Sequence, residues 1–142
     1  MIRRFGLFAC VAAVAFVAGM SVDEAPAVEA QTNQIYELRI YTTAEGRLGA
    51  LLERFGGGEL DLFLKHGMKS VGYWVPDDAP TSENTMIYML AHESREAAAA
   101  SWQGFFDDPE WETMRAKSLE DGPIVTEVES TFMNPTEFSP VK

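Results

Sequence analysis

The 142-residue sequence holds a single cysteine, Cys10, inside an apolar segment near the N-terminus. A chain with no thiol elsewhere offers no disulfide, no Cys-ligated metal and no thiol nucleophile, so packing must supply its stability. Histidine is scarce as well. His66 and His92 stand 26 positions apart, and no HxxxH or HxH spacing brings two imidazoles to one zinc ion. Positive charge is also short, with 11 Lys and Arg against 22 Asp and Glu and a net charge of −11. Such a surface repels phosphate backbones and anionic lipid, which argues against nucleic-acid and membrane-surface partners. No GxSxG, Walker or GxGxxG motif occurs, so hydrolytic, nucleotide and dinucleotide chemistry have no support. The acidic run from Asp107 to Glu112 lacks the alternating ligands and central glycine of a calcium loop. Neither metal nor cofactor is expected.

The chain begins with Arg3 and Arg4, an apolar run from Phe5 to about Val22, and a polar stretch DEAPAVEA that ends Val28-Glu29-Ala30. That order is that of a secretory signal peptide with small residues at the cleavage site, which predicts a signal peptide over 1–30 and a secreted or periplasmic domain over 31–142. Retained, the same run is just long enough to act as a membrane anchor. Once it is cut, nothing else in the sequence calls for a membrane. The remaining length suits one domain with one core.

Four strands and two helical regions follow. IYELRIYT (Ile35 to Thr42) alternates with period two, and MKSVGYWV, TMIYMLAH and IVTEVESTFM (Ile124 to Met133) have the same β-branched and aromatic character. Thr42-Thr43-Ala44-Glu45 has the spacing of a capping box, which predicts a helix immediately after it. Leu48, Leu51, Leu52 and Phe55 then recur at helical spacing. Gly56-Gly57-Gly58 predicts a kink, because glycine costs about 1 kcal/mol against alanine inside a helix. It is no phosphate loop, since no Lys-Ser/Thr follows. Gly67 is placed to end the resumed helix in a left-handed cap, Ser94 to start the next, and Asp107-Asp108-Pro109 to start a third.

Strand, helix, strand, strand, helix pair, strand is the ferredoxin-like βαββαβ order. It predicts an α+β fold, a four-stranded antiparallel sheet with helices on one face. The other face needs a partner or solvent. On the first strand Tyr36, Leu38 and Ile40 alternate with Glu37, Arg39 and Tyr41; on the fourth, Glu127 and Glu129 sit among the residues of one face. Glu37, Arg39, Tyr41, Glu127 and Glu129 are therefore candidates for a mixed face that a homodimer would bury. Arg39 would pair with Glu127 or Glu129 across neighbouring strands. A solvated surface pair is the alternative.

YELRIYT, KHGMKSVGYW, WQGFFDDPEW and VESTFMNPTEFSP, taken in that order over residues 35–140, resemble the NIPSNAP family of the dimeric α/β-barrel superfamily. The resemblance implies a ferredoxin-like protomer that dimerises through its sheet. The wider superfamily includes cofactor-free monooxygenases and haem-dependent enzymes, while NIPSNAP members have no agreed chemistry. The triple glycine departs from the family pattern.

Aromatic side chains are the remaining resource. His66, Trp74, Tyr88 and Trp102 are the candidates for a pocket between sheet and helices that would hold a small apolar or aromatic molecule. For His66 a plain cap at a helix C-terminus is the competing role, and His92 is expected to be solvated. A cofactor-free oxygenase or haem enzyme, with His66 or a tyrosine as base or ligand, is a second reading. A structural interaction protein is a third.

Overall fold

The structure, a computed structural model, describes residues 34–141. The signal segment expected over 1–30 lies outside the described residues. β1 (Ile35–Thr43), β2 (Lys69–Trp74), β3 (Thr85–His92) and β4 (Val125–Met133) form one sheet in the order β2-β3-β1-β4, every neighbouring pair antiparallel. This is the ferredoxin-like arrangement. Among the described residues no helix is long and apolar enough to cross a membrane.

β1 is followed by α1 (Leu48–Arg54), a wide π-helical turn (Phe55–Glu59) and α2 (Leu60–Lys65). The turn is where the three glycines fall, and Gly58 adopts φ 128°, which a side chain would strain. The kink thus comes from one glycine of the three. At the far end Gly67 has φ 79°, and Met68 N–H and Gly67 N–H donate to the Phe63 and Leu64 carbonyls at 2.9 and 3.0 Å. That is the double closure of a glycine-capped helix end.

A short helix, α3 (Thr81–Asn84), leads into β3, and α4 (Arg95–Phe106) and α5 (Pro109–Ser118) precede β4. Ser94 Oγ accepts from Ala97 N–H at 3.0 Å, and Asp108 Oδ1 from Glu110 N–H at 2.9 Å with Pro109 in the first helical position. The expected capping box is not formed. Thr42 and Thr43 belong to β1, and α1 starts at Leu48 after Arg47 without a side-chain cap. Thr43 is held by its pairing with Val125, so its hydroxyl points into the buried side of the sheet rather than to a helix N-terminus.

The core lies between sheet and helices. Leu51, Phe55, Leu62, Phe63, Met68, Tyr88, Leu90, Phe105 and Ile124 are almost completely buried there. Each such side chain contributes about 1.5–3 kcal/mol by leaving water. Phe55, Phe63, Tyr73 and Tyr88 interlock ring against ring at centroid distances of 5.3–6.0 Å.

Candidate functional site

The register of the sheet decides which residues meet. Opposite positions share a face, so Glu37, Arg39 and Tyr41 of β1 group with Phe132, Ser130 and Val128 of β4 and with Leu90, Tyr88 and Met86 of β3. This is the helix side, because Tyr88 and Leu90 are core residues. The mixed face expected to be covered by a second copy therefore turns inward, and Glu37, Arg39 and Tyr41 are not on the open face. Glu127 and Glu129 are on it, opposite Thr42 and Ile40, and Arg39 pairs with neither.

Glu37 can sit inside because four donors satisfy it. Oε1 accepts from Arg39 and from Ser130 Oγ, both at 2.7 Å; Oε2 accepts from Trp102 Nε1 at 2.7 Å and lies 3.0 Å from His92 Nε2. Burial raises the Glu37 pKa, but the four hydrogen bonds outweigh it and bring the carboxyl down to about 2. His92, expected to be solvated, is fully buried in this cluster. The Arg39 guanidinium lies 4.3 Å from the Trp102 ring, a stacking that locks both side chains.

His66 is the C-terminal boundary residue of α2, as the sequence indicates, but its ring does not cap α2. Nε2 lies 2.7 Å from Asp108 Oδ2, tying the end of α2 to the start of α5. Lys65 reaches the same oxygen at 2.8 Å. Lys65, then His66 and the Glu110 N–H, hold the Asp108 carboxyl well below the usual carboxylate range. The four pocket candidates are dispersed. His66 bridges helices, Trp74 is half exposed on the open face where its indole lies across Gly72, Tyr88 is in the core, and Trp102 serves Glu37. The space foreseen between Trp74 and Tyr88 is divided by the sheet itself.

One cavity among the described residues lies elsewhere between sheet and helices. A cleft of about 400 Å3 opens where the helices fall short of β4. Val128 marks the gap: it faces the helix side yet is 47% exposed. Phe105, Phe106, Trp111, Leu119 and Ile124 supply apolar wall, and Tyr41, Arg54, Glu59 and Arg115 supply the polar groups. Arg54 Nε donates to Glu59 Oε2 at 2.8 Å, with both side chains over nine-tenths buried. Burial pushes the Glu59 carboxyl up, and Arg54 opposes this without cancelling it. A buried carboxyl with a raised pKa in an aromatic cleft is the pattern of a functional site. Tyr88 donates to the Tyr41 hydroxyl at 2.8 Å, and burial keeps the Tyr88 phenol well above its ordinary pKa, so it remains a donor.

Sequence reasoning selected Tyr41 for the wrong face and missed Arg54, Glu59 and Arg115 altogether. One signal was available: Glu59 follows directly on the kink glycines, and Arg54 precedes it by five residues, a separation that a π turn converts into contact. Neither histidine lines the cleft, and both imidazoles have Nε2 engaged by a carboxylate. Among the described residues no group of three or more His, Cys, Asp or Glu is gathered to hold a metal ion.

Solved structures with this architecture fall into two groups. A NIPSNAP family protein of unknown function from Agrobacterium tumefaciens is 23% identical, with a TM-score of 0.67 over 79% of this chain and 96% of that one. An uncharacterised NIPSNAP-like domain protein from Burkholderia xenovorans is 21% identical, with a TM-score of 0.66 over 77% of this chain and 90% of that one. More distant is a monooxygenase from Streptomyces coelicolor, solved in complex with nanaomycin D. It is 16% identical with a TM-score of 0.52, over 74% of this chain and 89% of that one. At these identities the likeness is one of fold. No curated protein matches the chain in sequence. The NIPSNAP family model matches residues 36–140, a span that takes in every residue of the cleft and, but for Ile35, all four strands, and the chain belongs to the NIPSNAP family.

Proposed function

We propose that this NIPSNAP domain binds a small aromatic molecule in the cleft between β1, β4 and α5. The cleft itself carries the reading. It has room for a molecule of two or three fused rings, aromatic wall on several sides and a few polar groups among its lining residues. Isothermal titration of the purified chain with neutral 2-naphthylmethanol tests this. Saturable binding with a negative heat-capacity change is expected. Val128→Trp, which fills the cleft mouth from an exposed strand position, should abolish it. Heat-free mixing up to millimolar probe, or binding undiminished by Val128→Trp, would overturn the reading.

A second reading, chemistry on the bound molecule in the manner of a cofactor-free oxygenase, is favoured by one observation. Tyr41 lines the cleft, and its hydroxyl is bonded to both Tyr88 and Arg39. Its test is oxygen uptake with an electron-rich phenol in wild type and in Tyr41→Phe.

The domain acts as a secreted homodimer in this proposal. Leu38, Ile40, Ile87, Met89 and Trp74 share the open face, an apolar surface that a second copy of the sheet would cover. Lys69 at the β2 edge and Glu127 and Glu129 at the β4 edge make that face complementary to a two-fold copy of itself. The signal-like N-terminal segment supports export, and Edman sequencing of exported protein would start at Gln31.

A further inference from the structure

We propose that the cleft selects an aromatic acid: a planar ring system carrying one carboxylate, with the rings against Phe105, Trp111 and Val128 and the carboxylate toward Arg54, Arg115 and the Tyr41 hydroxyl. The inference rests on the cleft being a binding site and specifies what it binds.

Local charge is the first argument. The chain as a whole is strongly acidic, with a net charge of −11. The cleft reverses that sign, because its two arginines face one carboxylate, Glu59. A site whose charge opposes that of the surrounding surface concentrates ligands that the rest of the protein repels.

Hydrogen-bonding capacity is the second. Arg54 is over nine-tenths buried, yet it spends only Nε on Glu59, and its guanidinium lies 5.1 Å from the centroid of the Trp111 ring. A guanidinium has five N–H donors in a planar fork suited to a carboxylate. The Nη groups of Arg54 thus remain to donate, and among the described residues Arg115 has no carboxylate partner. At Tyr41 the phenolic oxygen accepts from Tyr88 and, more weakly, from Arg39 Nη2 at 3.4 Å. Two donors on one hydroxyl oxygen leave its own proton to donate, and the residue lines the cleft. Every polar side chain of the lining, apart from Glu59, therefore has a donor to offer. Glu59 balances the charge of Arg54, which leaves Arg115 as the one uncompensated cation of the lining and matches a ligand with one anionic group.

Three isosteric probes separate this from the broader reading: 2-naphthoate, neutral 2-naphthylmethanol and cationic 2-naphthylmethylammonium, titrated calorimetrically into the purified chain at 50 mM salt. Naphthoate is expected to bind at least tenfold tighter than the alcohol, and the cation weakest. Arg115→Gln should lower naphthoate affinity about fivefold or more and the affinity for the alcohol by clearly less. Tyr41→Phe should lower naphthoate affinity in the same way. Alcohol and naphthoate binding equally would overturn the acid preference while the cleft reading stands. Naphthoate binding that survives both Arg115→Gln and Val128→Trp lies outside the cleft and also overturns it. Failure of all three probes removes both readings.

Discussion

Trp102 Nε1 donates to Glu37 Oε2 at 2.7 Å across 65 positions of sequence, pinning α4 to the centre of the sheet. The same carboxylate joins β1 to β3 through His92 and to β4 through Ser130. Replacing it strands Arg39 and His92 in the interior. Glu37→Ala is expected to cost about 3–5 kcal/mol, the range for removing one partner of a buried ion pair. Trp102→Phe, which keeps most of the packing and loses one donor, should cost about 1–2 kcal/mol. Urea unfolding of both variants checks the order; equal losses would mean that packing, not the carboxylate, dominates.

Acid should find the same group. The folded-state pKa of Glu37 lies near 2, below its ordinary value of 4.5. Its contribution is therefore complete above pH 4.5 and is lost as pH falls through 2, a difference of about 3 kcal/mol. Glu59 works in the opposite direction. Its raised pKa favours folding at low pH, and that contribution fades as pH rises through its folded-state pKa. Stability measured between pH 5 and pH 2 should fall less steeply in Glu37→Gln than in wild type, and more steeply in Glu59→Gln. A slope unchanged in Glu37→Gln would remove Glu37 as the source.

These two carboxylates show what the sequence made legible and what it did not. Strand positions, the Gly67, Ser94 and Asp108 caps and the glycine kink all depend on residues within a few positions of each other, and period and cap chemistry report them directly. The orientation of β1 does not. Both of its faces carry aromatic or aliphatic residues, and a glutamate beside an arginine looks solvated until its partners are known. Those partners, His92, Trp102 and Ser130, lie 55, 65 and 93 positions away. The cleft was hidden for the same reason, since its walls come from β1, the π turn, α4, α5 and β4. The capping box failed because strand pairing of Thr43 with Val125 outweighed a local helix signal.

Glycines of the triplet should not be equivalent. Gly58 has φ 128°, and a β-carbon there would come within 3.1 Å of Met114 Cε, whereas Gly56 and Gly57 face open space. Gly58→Ala is expected to destabilise by about 1–3 kcal/mol through backbone strain. Gly56→Ala and Gly57→Ala should be neutral or slightly stabilising, by up to about 1 kcal/mol. Thermal melts of the three variants would refute the strained-turn account if Gly58→Ala behaved like its neighbours.

Gly104 offers a test that changes sign with its background. A β-carbon on Gly104 would lie 2.8 Å from His66 Nδ1, so Gly104→Ala must displace the imidazole from Asp108. A net loss of stability is expected, since a charge-assisted hydrogen bond that ties α2 to α5 is broken. Alanine is otherwise the better residue inside a helix by about 1 kcal/mol. With His66→Ala already made, the obstruction and the bond are both gone, and Gly104→Ala should then stabilise α4. A double-mutant cycle on these two sites reads the coupling directly. Gly104→Ala having the same effect in both backgrounds would mean that His66 gives way without losing Asp108.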